Sequence, residues 1–136
     1  MVDIEEKLGN ELFSIIEDNL GVSRDDLLST KRFEEIIYDK KILIVSIKFN
    51  SNYGPMAIGR FVNLDHGTIN SHIKNHKGLI ISNKAYREKY RKIELLVNDL
   101  FVKFNSLEWK LNELLEERNL INKNIKEIRK RLDYAK

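Results

Sequence analysis

The sequence contains no cysteine, which removes disulfide frameworks, thiolate zinc sites and cysteine nucleophiles from the functions open to it. Proline occurs once and glycine six times, so little punctuates the chain and long helices can run unbroken. The longest apolar run is Ile42-Leu43-Ile44-Val45, far short of the roughly 20 residues of a membrane span. The acidic start Met1-Val2-Asp3 is unlike a signal peptide. These absences predict a soluble, cytoplasmic protein with no membrane partner. No Gly-rich phosphate loop, Walker motif or Gly-x-Ser-x-Gly elbow occurs, so no enzymatic activity and no cofactor are expected.

What is present is charge, unevenly placed. Residues 1–28 carry two basic and eight acidic side chains, residues 29–77 eight and four, and residues 78–136 fourteen and nine. The acidic front and basic remainder suit a face that meets phosphates, because DNA affinity rests largely on Lys and Arg displacing condensed counterions. A solvated charged surface would give the same count.

Apolar periodicity is helical throughout, and the fold class expected is all-α. Leu8, Leu12, Ile15 and Ile16 follow Asp3, the N-cap expected here, and Gly21 supplies a stop. Ser23 caps a short turn from Arg24 to Leu28, with Leu27 and Leu28 inward. A third helix is predicted from about Lys31 to Asn50, burying Phe33, Ile36, Ile37, Ile44 and Ile47. Its β-branched stretch at 42–49 also admits a strand, but the helical period continues through both flanks. Gly54-Pro55 breaks the chain and places proline where it can open a helix, Pro55 to Val62, with Ile58, Phe61 and Val62 inward. Asn63-Leu64 makes a tight turn, and Asp65 caps a second helix running to about His76. Two short helices joined by such a turn have the helix-turn-helix layout.

The segment Gly21 to Lys77 resembles the C-terminal DNA-binding domain, domain IV, of the bacterial replication initiator DnaA. The resemblance is carried by Asp25-Asp26-Leu27-Leu28-Ser29, Lys31-Arg32, Ile58-Gly59-Arg60-Phe61 and, most specifically, Asp65-His66-Gly67-Thr68-Ile69. It implies base contacts from Asp65 and His66 in the major groove and from Arg32 in the minor groove. It implies backbone contacts from Lys40, Lys48, Ser51, Thr68 and Ser71. Three departures bear on the site read: Leu64 replaces an Arg, Gly67 lacks a methyl-contacting side chain, and the turn is one residue shorter. Chemically, a carboxylate at a helix start can accept from cytosine N4 and an imidazole can read a base edge. Asp65 could equally serve only as a cap. His72 and His76 stand four apart, a two-ligand metal spacing, without a convincing third ligand; no metal is expected.

From Asn83, the cap expected for the next helix, the chain runs on without Gly or Pro. Tyr90, Ile93, Val97, Leu100, Phe104, Leu107, Leu111, Leu114, Arg118, Ile121, Ile125, Ile128 and Leu132 alternate at spacings of three and four. This is a heptad seam of left-handed coiled-coil type, with Arg118 at a core position. A helix over 84–135 would measure about 75 Å at 1.5 Å per residue. A fold-back between Glu116 and Asn124 is the alternative to an unbroken helix. The expected organisation is therefore a helix-turn-helix module over 1–82 and an oligomerising coiled-coil helix over 83–136, with the seam from Ile93 to Leu132 making a homodimer. The function expected is sequence-specific double-stranded DNA binding, in replication or transcription control of a bacterium or its phage. A scaffolding protein that keeps the helix-turn-helix for protein contacts is the alternative.

Overall fold

The computed structural model describes residues 4–30 and 32–135. Among them are six helices and no strand: α1 Ile4–Leu20, α2 Arg24–Leu28, α3 Glu34–Asn50, α4 Pro55–Val62, α5 His66–Ser82 and α6 Lys84–Ala135. None is long and apolar enough to cross a membrane. The cap expected at Asp3 lies outside the described residues. The chain divides into two units, Met1–Phe101 and Val102–Lys136.

In the first unit α3 is the central helix, meeting α1, α2, α4 and α5. Each residue from Asp39 to Ile47 is buried, which explains the continuous apolar run that could have been read as a strand. A helix surrounded on all sides has no polar face to interrupt its hydrophobicity. The helix starts at Glu34 rather than near Lys31, which is itself outside the described residues. Phe33 occupies the extended position before the helix, at φ −68° and ψ 133°. It falls outside the helical phase and is 66% exposed rather than buried as expected.

Local signals fix the remaining boundaries. Gly21 adopts φ 73° and donates its N–H to Glu17 O at 3.0 Å, closing α1. Ser23 Oγ accepts the Asp26 N–H at 3.1 Å and opens α2. Leu8, Leu12, Phe13 and Ile16 of α1 and Leu27 of α2 are buried, whereas Leu28 is only half-buried. Pro55 sits in the first turn of α4, as its missing N–H permits.

α6 is one continuous helix from Lys84 to Ala135, which excludes a fold-back between Glu116 and Asn124. Its first turns belong to the first unit: Tyr86, Tyr90, Ile93, Val97, Leu100 and Phe101 are buried. The boundary expected between residues 82 and 83 is a helix junction, and the unit continues for some five further turns of helix. Asn83 serves both sides of that junction. Its N–H closes α5 on Leu79 O at 2.9 Å, and its Oδ1 accepts the Tyr86 N–H at 3.0 Å to open α6.

Candidate nucleic-acid interface

The α4–α5 corner is set by backbone geometry. Asn63 takes the left-handed conformation, φ 57° and ψ 47°, which Asn tolerates better than most residues. The Leu64 N–H then turns back to Gly59 O at 3.0 Å. The carbonyl oxygen of Leu64 lies so close to Gly59 that a β-carbon there would collide with it. Glycine is therefore required at 59 for this corner to close.

Asp65 follows as the N-cap of α5, its Oδ1 accepting the Thr68 N–H at 3.0 Å. Hydrogen bonds from the Thr68 side chain and backbone hold the Asp65 carboxyl below its ordinary range. The sequence expected α5 to end near His76, but it continues to Ser82 because Leu79 and Ile80 keep an inward face. Ile69 and His76 are buried and His72 and Ile73 half-buried, while His66, Gly67, Thr68, Asn70, Ser71, Lys74, Asn75, Lys77 and Gly78 are exposed. No Asp or Glu occurs between Asp65 and Glu88, in a chain with 21 acidic residues. The outward face of α5 is thus short, polar and basic.

Asp65, His66, Thr68 and Ser71 lie together on the exposed N-terminal half of α5. Arg32 lies in the segment before α3, and Lys48 lies in the last turn of α3. Arg32 is exposed and Lys48 half-buried. Two expected backbone contacts are engaged elsewhere. Lys40 is buried and donates to Ser29 O at 3.2 Å, so it is not a free surface cation. Ser51 donates to Ile47 O at 2.6 Å and accepts the Tyr53 N–H at 3.2 Å, which occupies its hydroxyl in closing α3. Sequence reading passed over Asn70, Lys74 and Asn75, whose exposure follows from the helical phase set by Ile69 and Ile73.

Behind α5 lies an aromatic cluster joining α3, α5 and α6. His76 Nδ1 and the Tyr86 hydroxyl share a hydrogen bond of 2.6 Å, and the His76 and Tyr90 rings meet edge to face at 4.4 Å. Burial pushes the Tyr86 and Tyr90 hydroxyls up and His76 down. His76 is thereby a satisfied core histidine, and no group of three or more metal-ligating side chains occurs among the described residues.

The seam divides along its length. Ile93, Val97, Leu100 and Phe104 are buried within the single chain, so they are not available to a partner as expected of an oligomerisation seam. Leu107, Leu111, Leu114, Ile121, Ile125, Ile128 and Leu132 are exposed, as is Arg118 among them. No family model, curated protein or solved structure matches the chain.

Proposed function

We propose that the chain binds duplex DNA, with α5 as the helix that enters the major groove. On this reading it is a sequence-specific protein of DnaA domain IV type, serving replication or transcription control. The observation that carries the reading is the outward face of α5. That face has no carboxylate beyond Asp65 at its very start, and side chains short enough for a groove alternate with Lys74 and Lys77. A groove about 12 Å wide admits a helix bearing such side chains. His66 and Asn70 read base edges, Lys74 meets phosphate, and Asp65 caps the helix while presenting its second oxygen outward. The seam from Leu107 to Leu132 joins two copies, since a stripe of this length at heptad spacing exceeds what monomers commonly leave in water. Two linked modules then reach a two-site duplex with raised effective concentration.

Selection of bound sequences from random duplexes, followed by anisotropy titrations over a range of salt, tests the reading. His66→Ala should flatten sequence preference and leave weak, salt-sensitive binding, because base contacts specify and phosphate contacts position. Lys74→Gln should weaken all duplexes alike and lower the salt slope by about one unit. Absence of duplex binding at low salt rejects the reading. A scaffolding role then stands instead, favoured by the exposed apolar seam with Trp109 beside it.

A further inference from the structure

We propose that the exposed stretch of α6 pairs with a second copy of this chain in antiparallel orientation, the acidic half of each helix covering the basic half of the other. The proposal rests on the reading of the seam as a self-association surface and fixes its geometry; it does not depend on DNA binding.

The seven apolar seam residues from Leu107 to Leu132 are between 41% and 60% exposed. With Arg118 they make eight core positions, close to four heptads, the length at which heptad patterning signals a coiled coil. The charge beside this seam is split along its length. Residues 107–117 carry Glu108, Glu113, Glu116 and Glu117 against Lys110 alone, whereas residues 121–132 carry five Lys and Arg against Glu127 alone. All of these charged side chains except the half-buried Glu113 stand exposed. The helix dipole does not account for the split, because it acts on the first and last turns and α6 begins at Lys84, many turns before Glu108. Pairing within the helix does not account for it either. Glu108, Glu116 and Glu117 have no Lys or Arg three or four residues away on either side, the only spacings at which helix neighbours meet.

The orientation follows from what each arrangement sets face to face. In a parallel pair every core position meets its own copy. Arg118 would then face the partner's Arg118 in one buried layer, and the acidic and basic stretches would each lie beside their like. In an antiparallel pair the register centred between Asn119 and Leu120 fills every layer. Leu107 meets the partner's Leu132, Leu111 the partner's Ile128, Leu114 the partner's Ile125 and Arg118 the partner's Ile121. The two Arg118 side chains fall in different layers, where each stem can lie on an isoleucine while its guanidinium reaches water at the edge. Beside the seam, Glu108 comes opposite the partner's Arg129, and symmetry makes that pair twice. Lys110 comes opposite the partner's Arg131, and its own Glu113, at 3.7 Å, offsets this like pair. The basic end of the chain, which composition alone assigns to phosphates, thereby answers to the carboxylates of a second copy.

The test uses the full chain, whose lack of cysteine allows single spin labels. Asn105, Asn119 and Asp133 are exposed and occupy the same heptad position two repeats apart. Asn105→Cys, Asn119→Cys and Asp133→Cys are labelled separately, and the distance between the two labels of a dimer is read by pulsed dipolar spectroscopy. At 1.5 Å per residue the antiparallel register offsets the labels along the axis by about 40 Å at positions 105 and 133 and by about 2 Å at 119. The expected result is a short distance at 119 between long ones at both ends. Equal short distances at all three positions show a parallel pair and overturn the proposal, leaving the self-association reading intact. A monomeric mass in sedimentation equilibrium at micromolar concentration and low salt overturns both and leaves the seam to a different protein. Charge reversal checks the register independently. Arg129→Glu should raise the dimer dissociation constant about tenfold at low salt, since two reciprocal pairs become repulsive, and adding Glu108→Arg should restore it. Failure of the double variant to recover overturns the register.

Discussion

α6 carries one pattern with two outcomes. From Tyr90 to Phe104 its apolar residues recur at spacings of three and four and are buried; from Leu107 to Leu132 the same spacing recurs and the residues are exposed. The difference lies in what is available to cover each stretch. Beside the first lies the bundle around α3, whose own apolar surface also needs a cover, and Tyr86, Tyr90, Ile93 and Val97 supply it. Periodicity therefore reports that a helix has an apolar face, while the identity of its cover depends on contacts far away in sequence.

Truncation breaks this comparison most severely. Ending the chain after Ser82 removes Tyr86, Tyr90, Ile93, Val97, Leu100 and Phe101 from the core. Each large side chain contributes about 1.5–3 kcal/mol, and total stabilities are only about 5–15 kcal/mol. That fragment should be unfolded by near-ultraviolet circular dichroism and amide NMR. Ending after Asn105 should leave a folded unit that no longer self-associates in light scattering. A cooperative fold in the shorter fragment would show that α6 is dispensable to the bundle.

Paired single substitutions sharpen it. Ile93 and Ile121 occupy equivalent seam positions, but Ile93 is 0% and Ile121 57% exposed. Ile93→Ala should cost about 2–5 kcal/mol in urea unfolding. Ile121→Ala should cost about 0.5 kcal/mol or less in dilute protein and should instead weaken association. Equal losses from the two would mean that both stretches are covered in the same way.

Acid distinguishes the units a third way, because His72 and His76, the described histidines with a resolved shift, belong to the first. His72 is pushed from its ordinary 6.5 down to about 4. The unfolded chain then binds a proton that the folded chain refuses, so stability is fully present above pH 6.5 and falls as pH drops toward 4. The slope contributed is at most about 1.4 kcal/mol per pH unit. Asp39, whose carboxyl burial pushes up, acts oppositely, so the slope is best read above the carboxylate range. His72→Gln should flatten urea midpoints between pH 6.5 and 5; an unchanged slope would show that His72 titrates freely.

Much of this fold was legible because its signals are local. Ser23, Pro55, Asp65 and Asn83 each mark a helix start through a hydrogen bond or a fixed φ that depends on the next few residues alone. Phe33 was misread because one residue's offset from the helix start removes it from the inward face. The seam was overextended because the bundle's need for Ile93 and Val97 is not written near them. Lys40 counted as a surface cation because its stem's burial depends on contacts distant in sequence. Of the candidate site, the positions on α5 followed from helical phase, whereas the engagement of Lys40 by the Ser29 carbonyl emerged only from three-dimensional packing.

The smallest expected effect concerns two glycines that composition treats alike. Gly59 is buried at the α4–α5 corner, where the Leu64 carbonyl leaves no room for a β-carbon. Gly78 lies on the exposed face of α5, and nothing stands within 4 Å of where its β-carbon would be. Glycine inside a helix costs about 1 kcal/mol relative to alanine through backbone freedom in the unfolded chain. Gly78→Ala should therefore raise stability by up to about 1 kcal/mol, measured as a higher urea midpoint with an unchanged slope, and should leave association untouched because the seam from Leu107 onward is elsewhere on the chain. Gly59→Ala should move stability the other way by a larger amount, since the corner must open. A destabilised Gly78→Ala variant would mean that this face of α5 is covered in solution, and its concentration dependence would then tell whether a second copy provides the cover.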